Sequence, residues 1–377
     1  MKKAFILFTA IIFLLSCKKD KVSDTITPFK ADHGGVYISN EGNFQSGNAS
    51  LTYFNPLNET VYDDPFKQIN HQSLGDICQS MNIINSKLYI VVNNSGKIEV
   101  CDPYTLVKES TITGLTSPRY ILPVNSSKAY VSDAYANHLS VINLNNNSIS
   151  GTIALYGWTE QMLLKNNRIY VTNTFSDYLY FIDPVNDVLN DSILISKGAN
   201  SILEDLNGKI WVLCGGDYLH TYNATLYRID PATNQVEDKF TFASGDFPSR
   251  LCINGSSDSL YFLNKGINKM SVIDHALPVS PFIVSSGNNF YGLGINRTKN
   301  EIYVSDAIDY IQKGKVFRYR ANGLAIDNFL VGIIPGDFLF GEMSPGETAN
   351  AASRIDTTVS HKRKHSANPS HLAACRA

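Results

Sequence analysis

The residues best suited to bind a ligand are aromatic, amide and arginine side chains that lie just outside short apolar segments of the chain. Aromatic rings offer flat apolar faces, and amide and guanidinium groups offer hydrogen-bond donors. Together they suit a large, neutral, amphipathic ligand or a sugar. The candidate ligand-binding residues are Asn40, Glu41, Phe44, Gln79, Arg119, Tyr135, Trp158, Phe175, Asn200, Tyr218, Tyr222, Arg250, Tyr291 and Tyr310.

Each candidate also has a structural explanation, which the sequence leaves open. Asn40 can cap a turn, because Asn and Asp side chains bond to the nearby backbone. Loop aromatics such as Phe175 can fill gaps between neighbouring elements. Arg119 and Arg250 can be surface charges or can form salt bridges between neighbouring units. The binding hypothesis therefore depends on the joint pattern and not on any single residue.

Catalytic and metal-binding motifs are absent from the sequence. It contains no G-x-S-x-G, no H-E-x-x-H, no phosphate-binding loop and no EF-hand loop. No His or Cys pair has metal-ligand spacing, so we predict no catalytic residue, no metal and no cofactor. A metal-dependent hydrolase or lyase stays open as an alternative, because acidic residues in the same loops could hold a cation or act as acid and base. The acidic residues concerned are Glu41, Asp133, Glu160, Asp217, Asp306 and Asp309.

A repeated unit of about forty residues must position these side chains. In its clearest copies, residues 127–153 and 167–193, a short polar link joins two apolar strands, and a turn and a third strand follow. One strand of each copy carries an aromatic residue at the same place: Tyr37, Tyr89, Tyr130, Tyr170, Trp211, Tyr261 and Tyr303. Seven such copies, with four strands each, predict an all-β, seven-bladed β-propeller over residues 34–340.

The ends of the repeat region predict how the ring closes. The first copy begins at Gly34 and lacks an innermost strand, whereas residues 335–340 have the Pro-then-apolar pattern of one. We therefore expect residues 335–340 to complete the first blade. The candidates fall on loops between second and third strands and on loops between blades, which share one face of a propeller. The interblade loops also carry Tyr120, Glu160, Gln161 and Phe290.

Both ends of the chain differ from the repeats. Lys2 and Lys3 precede an apolar run that is too short for a transmembrane helix, and Leu14-Leu15-Ser16-Cys17 resembles a bacterial lipobox with Cys17 as the lipidated residue. We predict a lipoprotein signal peptide at residues 1–17, a tether at 18–33 and a disordered or artefactual tail at 341–377. The net charge of −2 gives no reason to expect a nucleic-acid partner.

Four cysteines, Cys78, Cys101, Cys214 and Cys252, fall within or at the end of predicted strands. Their expected role is that of small buried apolar residues. A disulfide between two of them stays open outside the cytoplasm, and the sequence does not pair them.

The repeat unit resembles that of YncE-like seven-bladed propellers, most clearly at residues 127–149, 167–190 and 226–234. With the lipobox and the opening GVYISNEG at residues 35–42, the chain resembles the Bacteroidetes surface lipoproteins that include the cobalamin-capturing BtuG type. The resemblance implies an outer-membrane lipoprotein at the cell surface that captures a corrinoid such as cobalamin and passes it to a TonB-dependent transporter. A protein-interaction propeller in the cell envelope is the alternative.

Overall fold

The computed structural model describes residues 29–32, 34–217 and 221–341. In this part of the chain, seven four-stranded antiparallel sheets are arranged around a central channel as the blades of a propeller. One helix, α1 (Pro65–Asn70), lies in the connection between the strands Thr60–Asp63 and Cys78–Ile84. The strands are β1 (Val36–Asn40), β2 (Ser50–Asn55), β3 (Thr60–Asp63), β4 (Cys78–Ile84), β5 (Lys87–Val92), β6 (Lys97–Cys101), β7 (Lys108–Ile112), β8 (Pro118–Pro123), β9 (Lys128–Asp133), β10 (His138–Asn143), β11 (Ser148–Ala154), β12 (Thr159–Lys165), β13 (Arg168–Asn173), β14 (Tyr178–Asp183), β15 (Val188–Leu194), β16 (Ala199–Glu204), β17 (Ile210–Cys214), β18 (Thr225–Asp230), β19 (Gln235–Thr241), β20 (Ser249–Ile253), β21 (Ser259–Leu263), β22 (Gly266–Ser271), β23 (Ile283–Val284), β24 (Phe290–Asn296), β25 (Glu301–Asp306), β26 (Lys313–Tyr319), β27 (Ala325–Ile333) and β28 (Pro335–Phe340).

Blade 1 is built from both ends of the repeat region, in the order β28-β1-β2-β3. In its innermost pair, Phe340 lies opposite Val36 and Phe338 lies opposite Ile38. Blade 2 consists of β4–β7, and blades 3 to 7 follow as β8–β11, β12–β15, β16–β19, β20–β23 and β24–β27. The innermost strands contact one another around the whole ring, from β4 and β8 to β28 and β4. The seven-bladed fold and the predicted closing strand are confirmed.

The aromatic position of the repeat lies in the second strand of each blade and is buried between neighbouring blades. Its seven side chains are at most 3% exposed, which is the exposure of Tyr37. Among the described residues, each adjacent pair of blades encloses one apolar cluster. Between blades 2 and 3, for example, Val91 and Ile98 pack with Ile121 and Ile142. Burying each such side chain contributes about 2 kcal/mol, so the clusters hold the blades in fixed positions around the channel.

Two features of the fold were not predicted. Helix α1 occupies the long connection from blade 1 to blade 2, where the Asp64 side chain caps its first turn and Phe66 is buried. Upstream of the predicted propeller boundary at residue 34, the ring of Phe29 packs edge-on against Tyr53, with centroids 5.2 Å apart. The packed body therefore includes the described end of the predicted tether.

The four cysteines Cys78, Cys101, Cys214 and Cys252 are free thiols within strands. Burial raises the pKa of Cys101 and the pKa of Cys252 to about 12, so both thiols stay protonated at neutral pH. Cys78, Cys101 and Cys214 are buried, as expected of small apolar residues, and Cys252 is partly buried.

Several predictions concern segments outside the described residues. These are the signal peptide with Cys17, the tether up to residue 28, the tail from residue 342 and the candidate Tyr218. Within the part that the structure describes, no helix combines the length and apolar character needed to span a membrane.

Candidate functional site

The innermost strand of every blade has the same irregularity near its first residue. In all seven sheets of the described chain, the ladder register shifts directly after the first paired residue. A shift of this kind bends the strand and changes the direction of a side chain. In β4, β8, β12, β16, β20, β24 and β28, the residues at this position are Gln79, Arg119, Glu160, Asn200, Arg250, Tyr291 and Gly336.

All of these positions except Gly336 line a cavity of about 450 Å³ at one end of the channel. Its volume falls within the range of roughly 300–1,000 Å³ found for small-molecule pockets. Blade 1 has no side chain at Gly336, and Glu41 occupies that space, because a Cβ on Gly336 would lie 2.5 Å from Glu41 Oε1. The lining residues are Glu41, Ile77, Gln79, Arg119, Tyr120, Trp158, Glu160, Gln161, Asn200, Ser201, Ser249, Arg250, Phe290 and Tyr291.

Arg119 is held by the blades on both sides of it. Its Nε and Nη2 lie 2.9 Å and 2.8 Å from Glu160 Oε1, and its Nη1 donates to Gln79 Oε1. Trp158 Nε1 donates to the same Glu160 oxygen at 2.5 Å, and the Arg119 guanidinium lies 5.2 Å from the Trp158 ring centroid. Through these contacts Arg119 links blades 2, 3 and 4, and its positive charge is paired with Glu160.

Arg250, in blade 6, is less fully engaged. Its Nε donates to the Tyr291 carbonyl at 3.2 Å, and its guanidinium lies 5.3 Å from the Tyr291 ring centroid. Its Nη2 is 3.6 Å from Glu41 Oε1, which is longer than a hydrogen bond. Arg250 also has a φ of 59°, in the left-handed region that residues with a Cβ rarely adopt. Both Nη atoms therefore keep donor capacity in the cavity.

Buried carboxylates balance the two arginines. Burial raises the pKa of Glu41, although Arg250 partly opposes the rise. Burial also raises the pKa of Asp337, which follows Gly336 in β28, to about 6, and Met81 N donates to its Oδ2 at 3.4 Å. With every group ionised, the carboxylates of Glu41, Asp337 and Glu160 exceed the arginines by one negative charge. The site therefore has no surplus positive charge for an anion.

Aromatic rings form two groups beside the cavity. Tyr135 and Phe175 pack edge-on against Trp158, with centroids 5.4 Å and 5.6 Å away, and remain 61% and 63% exposed. On the other side, Tyr310 packs edge-on against Tyr291 at 5.9 Å. These rings give the mouth of the cavity apolar faces that a ligand can contact.

The remaining candidates do not line the cavity. Asn40 is fully buried, and its Nδ2 donates to Thr52 Oγ1 at 2.9 Å, which gives it a structural role within blade 1. Phe44 and Tyr222 lie on exposed loops, 65% and 45% exposed. Tyr218 is outside the described residues.

The acidic and amide residues that end the second strands act mainly as turn caps. The Asp133 carboxylate accepts hydrogen bonds from four backbone amides, of residues 116, 117, 135 and 136, at 2.8–3.2 Å. Asn173 Oδ1 accepts from the amides of residues 175 and 176. The structural explanation that the sequence left open therefore applies to both positions.

Sequence reasoning missed Ser201, Ser249 and Ile77 in the cavity wall, and it did not single out Asp337. An alignment of the innermost strands by their first residues could have found two of them, because Ser201 follows the candidate Asn200 and Ser249 precedes the candidate Arg250. No histidine is among the described residues of the wall. The described chain also holds no group of three His, Cys, Asp or Glu side chains that could bind a metal. The site therefore offers hydrogen bonds and aromatic faces to a ligand.

Comparison with known proteins gives a family and a fold. Residues 34–329 match a family model described as a domain of unknown function, DUF5074. A search of curated proteins found no match.

Solved structures with the same architecture are similar to the chain at low sequence identity. A quinoprotein alcohol dehydrogenase-like protein from Bacteroides thetaiotaomicron is 18% identical, with 82% of this chain and 78% of that chain covered and a TM-score of 0.64. A periplasmic gluconolactonase from Pseudomonas aeruginosa is 11% identical, with 81% and 99% covered and a TM-score of 0.63. The dihydro-heme d1 dehydrogenase NirN is 10% identical, with 82% and 76% covered and a TM-score of 0.58. At these identities the similarity shows the fold alone.

Proposed function

The chain belongs to the DUF5074 family, and we propose that it is a non-enzymatic binding protein that captures a ligand at the cavity face of the propeller. The observation that carries the proposal is the ring of side chains around the cavity, six at the register shifts of blades 2 to 7 and Glu41 in the space beside Gly336 of blade 1. Every blade thus contributes a side chain to the same cavity, and these seven side chains are of five types: Glu, Gln, Arg, Asn and Tyr. A repeated fold needs no such variety for its own stability, whereas a ligand without sevenfold symmetry does.

A corrinoid is the ligand we propose. The likeness of the repeat and the lipobox to cobalamin-capturing lipoproteins supports this choice. The site fits it in two ways, because the exposed rings of Tyr135 and Phe175 can contact an apolar macrocycle and the cavity can receive a polar side arm. The ring of a corrinoid would lie across the mouth between these rings and Tyr310.

Isothermal titration calorimetry of the purified full-length protein in detergent tests the ligand. We expect heat of binding with cobinamide or cyanocobalamin, and about fivefold weaker binding for Phe175→Ala, because a ring contact contributes about 1 kcal/mol. Leu57→Ala is the matched control, since Leu57 is 75% exposed in the turn after β2 on the opposite face. Absence of heat with both corrinoids would remove the proposed ligand.

We propose further that Cys17 carries a lipid that anchors the protein in the outer membrane, at the cell surface, where it delivers its ligand to a TonB-dependent transporter. The lipobox sequence supports the anchor. Cells fed labelled palmitate should label the wild-type protein and not Cys17→Ala. Surface exposure should appear as protease sensitivity in intact cells. Failure of the purified transporter to co-migrate with the protein in size-exclusion chromatography would count against the partnership.

A protein-interaction propeller is the second candidate, and exposed apolar side chains on the cavity face favour it. Tyr135, Tyr156 and Phe175, in loops of blades 3 and 4, and Leu194, at the end of β15, are 61–76% exposed. Such a patch is typical of a docking surface for another protein. Partner binding that is lost in Tyr156→Ala, without heat from any corrinoid, would identify this function instead.

A further inference from the structure

Around Arg250, the hydrogen-bonding groups that remain free in the cavity are of two kinds, donors and acceptors. On the donor side are the Nη atoms of Arg250 and the hydroxyl of Tyr120, which lines the cavity and donates to no other described residue. On the acceptor side is the Glu41 carboxylate, which lies 3.6 Å from Arg250 and accepts one hydrogen bond, from Tyr291 at 2.9 Å. A ligand group that fills this space must both accept and donate.

We propose that the floor of the cavity is a carboxamide subsite, in which Arg250 and Tyr120 donate to the carbonyl oxygen and Glu41 accepts from the amide nitrogen. This inference rests on the proposed function as a ligand-binding protein and names the chemical group that the site recognises. A primary amide has one acceptor and two donors and carries no charge, so it matches this set of partners. The left-handed backbone of Arg250 fits such a role, since uncommon backbone conformations concentrate at binding sites.

A carboxylate of the same shape fits the subsite less well. It can only accept, so it donates nothing to Glu41, and it adds a negative charge beside Glu41 and Asp337. Arg119 compensates little, because its charge is already paired with Glu160. The preference for the amide should weaken at lower pH, because burial raises the pKa of Glu41 and the pKa of Asp337. Protonation of these carboxyls removes the repulsion.

Benzamide and benzoate test the subsite, because they have the same shape and differ in the amide or carboxylate group. Their binding to the purified full-length protein can be followed by the fluorescence of Trp158, which lines the cavity. The second tryptophan, Trp211, is fully buried away from solvent, and Trp158→Phe checks the origin of the signal. Affinities on the order of millimolar are expected for ligands of this size.

We expect benzamide to bind about tenfold more tightly than benzoate at about pH 7.5, and the difference to shrink at about pH 5. Tyr120→Phe and Arg250→Lys should each weaken benzamide about fivefold. Arg297→Lys is the matched control, because Arg297 bonds to Ser257 outside the cavity. Equal binding of the two compounds, unchanged benzamide affinity in Tyr120→Phe, or no signal from either compound at about 20 mM would overturn the subsite.

The subsite and the proposed ligand can fail independently. Benzamide selectivity without corrinoid binding would keep the subsite and remove the corrinoid. Corrinoid binding without benzamide selectivity would keep the proposed function and remove the subsite.

Discussion

Replacing Asp337 by Asn removes a titrating carboxyl group beside the channel and should make the stability of the fold less dependent on pH. Asp337 lies in β28 beside the cavity, where burial raises its pKa to about 6 while Arg250 partly opposes the rise. In an unfolded chain an Asp carboxyl has a pKa of about 3.9. The folded state therefore binds this proton more tightly. The stabilisation it contributes is complete below about pH 4 and is lost as the pH rises through about 6.

The size of the effect follows from the pKa difference. A shift of about two pKa units corresponds to about 3 kcal/mol between the protonated and the ionised folded state. Because the channel leaves part of the Asp337 side chain open to water, we expect about 1–2 kcal/mol. Asn represents the neutral acid, so Asp337→Asn should be more stable than the wild type by this amount at about pH 7.5. Near pH 4 the two proteins should be equally stable.

Equilibrium urea unfolding of both proteins between about pH 4 and pH 7.5 measures this difference in the free energy of unfolding. Glu41 contributes a slope of the same sign to both proteins, because burial also raises its pKa, so only the difference between them reports Asp337. Asp191→Asn, at an exposed position in β15, controls for the loss of a surface carboxylate. A variant that is less stable at about pH 7.5, or a difference that is constant with pH, would refute the reasoning.

Three further changes test the ring and its loops. Truncation before Pro335 removes β28 from blade 1 and exposes a sheet edge. We therefore expect the truncated chain to lose its cooperative unfolding transition, as followed by circular dichroism. An unchanged transition would contradict the predicted closure of the ring by β28. Gly336→Ala places a Cβ 2.5 Å from Glu41 Oε1, so Glu41 must move and calorimetry should show weaker ligand binding. Gly151→Ala is the control, because its Cβ would lie 3.9 Å from the nearest atom, and this variant should bind the ligand normally. Asp133→Ala leaves four backbone amides without their acceptor, so the free energy of unfolding measured in urea should fall by about 2–4 kcal/mol. A loss below about 0.5 kcal/mol would show that water replaces the carboxylate as the acceptor.

The sequence predicted the fold well because its strongest signals are repeated. Each of the seven aromatic positions, from Tyr37 to Tyr303, is buried in a second strand, so the period alone locates the blades. Pro335 marked the closing strand, because a Pro is tolerated at the first residue of a strand. Helix α1 and the packing of Phe29 occur once each, so no period indicated them.

The candidate site was predicted only in part, because its key feature is not a residue type. The register shift that turns Arg250 toward the channel depends on backbone pairing, and alternation of polar and apolar residues does not reveal it. The sequence also left open whether Arg119 and Arg250 form salt bridges between blades. The structure gives Arg119 one close salt bridge, with Glu160, and a hydrogen bond to Gln79, whereas Arg250 has a single long contact with Glu41. This difference is set by distances that spacing along the chain cannot give.

This difference between the two arginines indicates where a ligand changes the protein most. Arg119 joins three blades, and each of its nitrogens already has a partner in Glu160 or Gln79, so its charge is paired before a ligand arrives. Around Arg250, a ligand can add hydrogen bonds without breaking any, because the contact with Glu41 is 3.6 Å long. Added bonds would also offset the cost of the left-handed backbone at Arg250. We therefore expect the binding energy of polar groups to come mainly from the side of blades 6, 7 and 1, with blades 2 to 4 as the rigid wall against which the ligand is held.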